Sequence, residues 1–386
     1  MSADIVVVGL ARTPMGGLLG ELSGMSAPEL GAAAIKAALA EAEIDGVDQV
    51  LMGNVLSAGL GQAPARQAAL KAGLSEHTEA VTLNKMCGSG LQAVAMARQA
   101  LLAGEADVIV AGGMESMSRA PFLMTSHRAG RKYGHEKIFD HMALDGLEDA
   151  YEGQPMGVYA DQAAKDYQLT REAQDAYALE TLKRAQSAAS EGRFKREIAP
   201  LELKTGKIDT DELPRKAKPE KIPSLKPAFT PDGTVTAANA SAISDGAAAL
   251  VLMREDKALD RGQRILARIV AQASYAQEPA KFTSAPVPAI RKALQRAGSW
   301  RPENVDLWEI NEAFAVVPMI AMQELGLSHD NINVNGGACA LGHPIGASGA
   351  RVLVTLIAAM EARGAKRGVA SLCIGGGEGI ALCVER

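Results

Sequence analysis

Disulfides, a structural zinc cluster and a strong surface charge all lie outside what this sequence can build. Four cysteines in 386 residues are too few for a disulfide framework. Cys339, Cys373 and Cys383 form no CxxC pair, which argues against a structural zinc site. The net charge of −5 gives no reason to expect nucleic acid or an anionic membrane. The first residues carry neither a basic n-region nor a long apolar h-region, and 2–9 reads as a buried strand. No apolar run looks long enough to span a bilayer. Nor does a G-x-G-x-x-G close the first strand, where Gly9-Leu10-Ala11-Arg12-Thr13-Pro14 stands, so a dinucleotide-dependent dehydrogenase is a weak reading. Free thiols and no leader fit a reducing cytoplasm.

What the chain has is a set of packed cores. Hydrophobic residues make up 47% and charged residues 22%, so disorder is not expected. The length allows two or three domains. Strand-like runs alternate with long Ala/Leu-rich helical patterns, which predicts an α/β fold. Strands are expected at 5–10, 49–53, 79–83 and 106–111, with helices at 27–42 and 91–102. The C-terminal part repeats the plan, with strands at 265–273, 305–310, 332–335, 368–374 and 380–385. Helices at 287–297, 313–325 and 347–362 alternate with them. A pseudo-duplicated fold is the simplest account. Between the halves, 117–244 breaks the pattern. It holds the charged run His127-Arg128-Ala129-Gly130-Arg131-Lys132, a helix at 170–191 and a polar Pro/Lys stretch at 204–227. The buried-strand pattern returns at 236–241 and 245–253. The division expected is 1–118 plus 245–264, an insert at 119–244, and 265–386.

Chemistry concentrates at Asn84-Lys85-Met86-Cys87-Gly88-Ser89-Gly90. A thiol at a helix start meets unpaired backbone N–H groups and the positive dipole end, which predicts a lowered pKa and a nucleophilic sulfur. Small neighbours let a carbonyl approach the backbone. Taken alone, a buried structural cysteine is an equal reading. Two later pieces shift the balance. One runs Gly336-Gly337-Ala338-Cys339-Ala340-Leu341-Gly342-His343-Pro344, and the other is Ser371-Leu372-Cys373-Ile374-Gly375-Gly376-Gly377. They supply a base and a second thiol. Cys339 and Cys383 read as core thiols. Asn311 fits a helix N-cap as well as a site residue.

At these residues the chain resembles the thiolase family, on its acetoacetyl-CoA-forming side. The matching stretches are NKMCGSG at 84–90, GGMESMS at 112–118, GTVTAANAS at 233–241, NEAF at 311–314, GHPIGASGAR at 342–351 and CIGGG at 373–377. They stand in the family's order over nearly the whole chain. The resemblance implies a five-layered αβαβα core of two similar halves and a loop domain over coenzyme A. It implies reversible condensation of two acetyl-CoA to acetoacetyl-CoA plus CoA, with CoA thioesters as substrates and no metal or other cofactor.

Carried across, Cys87 would be acetylated, His343 would take its proton, and Cys373 would deprotonate the second acetyl-CoA. Asn311 would hold a water that works with His343 on a thioester oxygen. The N–H groups of Cys87 and Gly375 would form a second oxyanion hole. Ser241, Ala237, Met156, Phe229 and Leu147 would line the substrate site, and Arg215 and Lys221, with Arg128 and Arg131, are candidates for the phosphates. The pattern is departed from at Pro155, where short-chain relatives often carry histidine, and at Glu378, where an uncharged residue is usual. Leu213-Pro214-Arg215 lacks the tyrosine tied to potassium activation. The alternatives are a thiolase of broader chain length, a decarboxylating or ketosynthase-type enzyme, and a non-catalytic acyl-CoA binder. Cys373 argues against the condensing relatives, and the intact Cys87, His343 and Cys373 argue against the binder. A homo-oligomer, dimer or tetramer, is expected, with the apolar segment 49–61 as a covered edge near Arg66.

Overall fold

The computed structural model describes residues 4–204 and 206–386. Ser2 and Ala3 of the expected first strand, and Thr205 of the polar stretch, lie outside that range. The first half contributes β1 (Ile5–Arg12), α1 (Ala27–Ala42), β2 (Gln49–Gly53), α2 (Pro64–Lys71), β3 (Glu79–Leu83), α3 (Ser89–Ala103) and β4 (Val108–Ser116). The insert holds α4 (Met156–Asp166) and α5 (Arg171–Ser190), and β5 (Ser244–Arg254) returns to the sheet. The second half contributes β6 (Ala267–Ala276), α6 (Pro286–Arg296), β7 (Leu307–Ile310), α7 (Val316–Leu325), α8 (Ile345–Arg363), β8 (Arg367–Ile374) and β9 (Glu378–Glu385). Local chemistry sets several ends. Ser26 and Glu29 form a capping box on α1, and Thr170 caps α5 by accepting from Ala173 N–H at 3.2 Å.

The strands join in one 10-stranded sheet of order β7-β8-β9-β6-β1-β5-β4-β2-β3, with Gly16–Gly17 beside β5. The halves repeat each other in pairing as well as in order. In the first, β1–β5 and β5–β4 are antiparallel, while β4–β2 and β2–β3 are parallel. In the second, β6–β9 and β9–β8 are antiparallel and β8–β7 is parallel. A single parallel bridge, Trp308 to Ile332, stands where β3 stands in the first half. The strand expected at 332–335 shrinks to that bridge for a physical reason. Asn333 adopts φ 47°, outside the β region, and its side chain closes on Ile310 N–H and C=O at 2.9 Å. The halves meet through β1 and β6, at Ile5–Ile269, Val6–Arg268 and Val7–Ala267.

Helices layer the sheet into αβαβα. α1 and α2 cover the outer face of the first half, and α6 and α7 cover that of the second. Between the halves lie α3 and α8, whose apolar side chains share one cluster with strands of both. Val352, Leu353, Val354, Leu356, Ile357 and Met360 of α8 are fully buried there. Each contributes roughly 1.5–3 kcal/mol relative to exposure. The expectation that no run could span a bilayer needs correction. α8 is long and apolar enough, but 89% of its most apolar window is buried inside the protein.

α3 and α8 cross at glycines, because only a missing Cβ permits the approach. A Cβ on Gly349 would lie 2.3 Å from Leu91 N, and one on Gly90 would lie 2.6 Å from Ala350 N. This crossing brings residues 87 and 343 to one place.

The insert leans on the second half. Tyr159, Ala160 and Ala163 of α4 pack into a cluster with Phe282 and Phe314. Leu182 and Ala185 of α5 pack on Ala340 and Leu341. Residues 236–241 are a turn rather than a strand, since Asn239 Oδ1 accepts from Thr236 N–H at 2.7 Å. The segment 49–61 is no edge either. β2 is flanked on both sides by β4 and β3, and the edge is β3 itself.

Candidate active site

Cys87 stands on a tight link between β3 and α3. Met86 adopts φ 46°, a left-handed conformation costly for a side-chain-bearing residue. Asn84 Oδ1 accepts from Met86 N–H at 2.9 Å. Ser89 Oγ accepts from Lys85 N–H at 2.8 Å and donates to Met86 C=O at 2.6 Å. The helix begins at Ser89, two residues earlier than expected, and Cys87 stands just ahead of its first turn.

The thiol's acidity also differs from expectation. Burial pushes the Cys87 thiol up to about 11, and Glu115 pushes the same way. The N–H groups of Gly375 and of Cys87 itself face the sulfur and oppose this without overcoming it. Desolvation of a thiolate outweighs two amide dipoles. The sulfur is therefore a neutral thiol that two backbone donors already address.

His343 lies on the loop before α8. Its N–H donates to Ala242 C=O at 3.0 Å, and Nδ1 lies 2.5 Å from Ser348 Oγ. Ser348 donates its own proton to Pro344 C=O at 3.0 Å, which assigns the Nδ1 proton to the histidine. Nε2 is then a bare acceptor, and it has no partner among the described residues. Burial, with the Arg351 charge second, lowers the imidazole to about 3. His343 is thus a neutral base with its lone pair free.

Cys373 sits one residue from the end of β8 and is 1% exposed. Burial raises its thiol well above the usual range, and the nearby Cys87 sulfur adds to this. Asn311 follows β7 and is also 1% exposed. Its N–H donates to Ser371 C=O at 2.9 Å, its Oδ1 accepts from Arg351 Nη2 at 3.4 Å, and its Nδ2 has no partner among the described residues. It caps no helix, since α7 begins at Val316. Glu312 turns inward instead, accepting from Tyr177 Oη and Thr181 Oγ1 at 2.9 Å and from Asn333 Nδ2 at 2.7 Å.

A cavity of about 410 Å³ opens onto Cys87, His343 and Gly375. Leu147, Met156, Phe229, Ala237 and Ser241 line it. Sequence reasoning did not find Phe282, Phe314 and Ile345, which complete its apolar wall. Phe314 stands edge-on to Phe229 and Phe282, with ring centroids 6.0 and 6.2 Å apart. Cys373 and Asn311 stand behind the lining.

A second cleft of about 300 Å³ shares Ala237 and Ala242 with this cavity and carries Lys216, Lys218 and Lys221. Lys221 therefore lies on a continuation of the site. Arg215 does not, being paired with Glu21 at 2.7 Å. Arg128 and Arg131 lie on an exposed segment where Glu136 approaches Arg131 to 4.0 Å, and neither lines the cavity or the cleft.

Two residues inside the matched stretches went unnoticed in sequence. Glu115 accepts from Val55, Leu56 and Gly346 N–H and from Asn54 Nδ2, at 2.7–3.1 Å, so one carboxylate ties the 54–56 loop to the start of α8. The other is Ser348. Their signal was a charged or hydroxyl residue inside an otherwise apolar glycine-rich run.

The geometry has counterparts. Residues 5–256 match the family model of the thiolase N-terminal domain, and 263–386 match that of the thiolase C-terminal domain. An acetyl-CoA acetyltransferase of Escherichia coli strain K12 is 51% identical over 391 residues, covering 99% of each chain. One of Pseudomonas aeruginosa is 50% identical over 391 residues, with the same coverage. Among solved structures, a thiolase from Ascaris suum in complex with coenzyme A superposes with a TM-score of 0.94 at 40% identity, covering 99% of this chain and 100% of that one.

Proposed function

The chain belongs to the thiolase family, and on that premise we propose how its residues carry out the reaction. It is an acyltransferase, an acetyl-CoA C-acetyltransferase that condenses two acetyl-CoA to acetoacetyl-CoA and CoA, reversibly. The observation that carries the residue assignment is one cavity holding a neutral thiol and a neutral, unpartnered imidazole nitrogen, with a second thiol close behind.

His343 Nε2 takes the Cys87 proton as the sulfur attacks the acetyl-CoA carbonyl. The N–H groups of Cys87 and Gly375 hold the oxyanion. The bond to the CoA sulfur breaks, and the Cys373 thiol protonates the departing thiolate. The Cys373 thiolate left behind removes a methyl proton from the second acetyl-CoA. Its carbonyl oxygen, polarised by His343 and by a water on Asn311 Nδ2, carries the charge. The resulting carbanion attacks the acetyl group on Cys87. Acetoacetyl-CoA leaves, and Cys87 recovers its proton from His343.

Coenzyme A is substrate, with its pantetheine arm against Ser241 and Ala237 and its phosphates near Lys221. Two working thiols favour a reducing cytoplasm. The edge strand β3, with Val81 46% exposed, supports an assembly of at least two chains. A light-scattering mass near the 40.2 kDa of one active chain would remove the partner.

The test is intact mass after incubation with acetyl-CoA. One acetyl group should appear on the Cys87 peptide and vanish in Cys87→Ala. Cys373→Ser should still acetylate yet lose thiolysis of acetoacetyl-CoA. Turnover by Cys87→Ala would sink the assignment. Faster thiolysis of a long 3-ketoacyl-CoA than of acetoacetyl-CoA would favour the broader-chain reading.

A further inference from the structure

An arginine in the middle of an apolar helix must find partners, because an uncompensated buried charge costs several kcal/mol. Arg351 of α8 is 1% exposed. Its Nη1 lies 3.3 Å from Glu309 Oε2 on β7, and its Nη2 lies 3.4 Å from Asn311 Oδ1. The other charges around it are Glu312 beyond β7, Glu197 from the insert and Arg12 from β1. One turn further along α8, Thr355 Oγ1 donates to Glu197 Oε1 at 3.1 Å, and Arg12 Nε donates to the same oxygen at 2.6 Å.

The chemistry of the two groups fixes an orientation. A guanidinium only donates, while a side-chain amide has one accepting and one donating end. Facing Arg351, the Asn311 amide must present Oδ1. Its Nδ2 is then left as a donor, and that atom is buried without a partner among the described residues. With the N–H of Asn311 fixed on Ser371 C=O at 2.9 Å, both backbone and amide plane are held. Reversed, the amide would set donor against donor at Arg351 and turn an acceptor outward, so that a water held there would give one of its two protons to Oδ1 instead of accepting a bond that makes it a better donor.

We propose that Arg351 is a positioning residue for carbon–carbon bond chemistry: it holds the Asn311 amide with Oδ1 inward and Nδ2 as the free donor. Its charge also opposes protonation of His343, whose Nδ1 neighbour, the Ser348 hydroxyl, carries none. The inference rests on the condensation reading above. It separates two oxyanion sites, since the backbone donors at Cys87 and Gly375 need no help from Arg351.

The experiment compares two rates in Arg351→Gln, Arg351→Lys and Glu309→Gln, with melting temperatures recorded. Exchange of CoA with acetyl-CoA reads acyl transfer alone, and thiolysis of acetoacetyl-CoA reads the carbon–carbon step. Arg351→Gln should lower thiolysis about 10- to 100-fold, the scale of a misplaced reacting group, and lower exchange much less. Its acid limb of kcat/KM should move to higher pH, because removing the positive charge makes His343 easier to protonate. Arg351→Lys keeps the charge and most of the volume, so its limb should stay while thiolysis still falls. Glu309→Gln leaves Arg351 on Asn311 and should keep the ratio of the two rates near wild type.

Equal loss of both rates with an unmoved limb would make Arg351 packing only. A ratio that falls in Glu309→Gln but not in Arg351→Lys would pass the role to Glu309 and overturn the assignment. Should Arg351→Gln not fold, the Lys and Glu309 variants decide by the same ratio. A wild-type enzyme that takes no acetyl group on Cys87 would overturn the reaction reading instead, a different result from any of these.

Discussion

Lys85 and Glu378 form an ion pair that ties the two halves of the chain together at the site. Lys85 precedes Cys87 by two residues, and Glu378 follows Gly375 by three. The pair fastens the loop that carries the Cys87 sulfur to the loop whose Gly375 N–H faces it.

The pair is about a quarter to a third exposed, at 25% and 35% for the two side chains. Such pairs are worth about 0.2–1 kcal/mol. Lys85→Met and Glu378→Gln should each lower kcat a few-fold, and a double-mutant cycle on kcat should show coupling of about that energy, shrinking with added salt. Additive effects at low salt would leave the two as unrelated surface residues.

The thiol and the imidazole make a prediction about pH. Cys87 stands at about 11 and His343 at about 3, so between those values both are neutral. Alkylation by iodoacetamide requires the thiolate. Its rate at Cys87 should climb with pH through neutrality toward the alkaline end, with no plateau. A preformed thiolate–imidazolium pair would instead give a flat, fast rate from weakly acid pH upward. Peptide mass analysis across a pH series separates the two.

Glycines near the site should not respond alike. A Cβ on Gly375 would meet nothing nearer than Met86 Cε at 3.8 Å, so Gly375→Ala should fold and keep most activity, its N–H being intact. A Cβ on Gly349 would press on Leu91 N at 2.3 Å. Gly349→Ala should cost about 1–3 kcal/mol, as overpacking does, and separate Cys87 from His343. Melting curves and turnover of the two variants check this, and an inactive, folded Gly375→Ala would contradict it.

The basic residues divide as well. Lys221→Ala should raise the Michaelis constant for CoA, more so at low salt, while Arg128→Ala, Arg131→Ala and Arg215→Ala should leave it alone. Initial rates at several CoA concentrations and two ionic strengths suffice. A larger effect from Arg215 than from Lys221 would move the phosphates to the other side of the insert.

Much of this was legible before any coordinates. Alternating runs gave both halves, since period and length are local properties. The motifs placed Cys87, His343 and Cys373, because chemistry that needs a thiol among glycines leaves a compact trace. What failed was whatever depended on surroundings. The acidity of Cys87 was misjudged because a helix dipole can be read from neighbours in sequence, whereas desolvation comes from the apolar cluster around it, with residues such as Leu147 and Ile345 far along the chain. Arg215 looked like a phosphate ligand until Glu21 took it. The strand at 332–335 was lost to the left-handed Asn333, whose reason lies in Ile310. The segment 49–61 seemed an edge because apolarity does not say which side a neighbouring strand will take.

Because α8 is shared by both halves, the order of synthesis matters. The first half's strands leave the ribosome long before residues 345–363 exist. Until then the inner face of β1, β4 and β5 and the apolar flank of α3 have no permanent cover. A nascent chain in that condition is sticky, and truncations ahead of α8 should be insoluble rather than half-active. Residues 345–363 therefore act for the earlier ones as a chaperone does, and they remain bound.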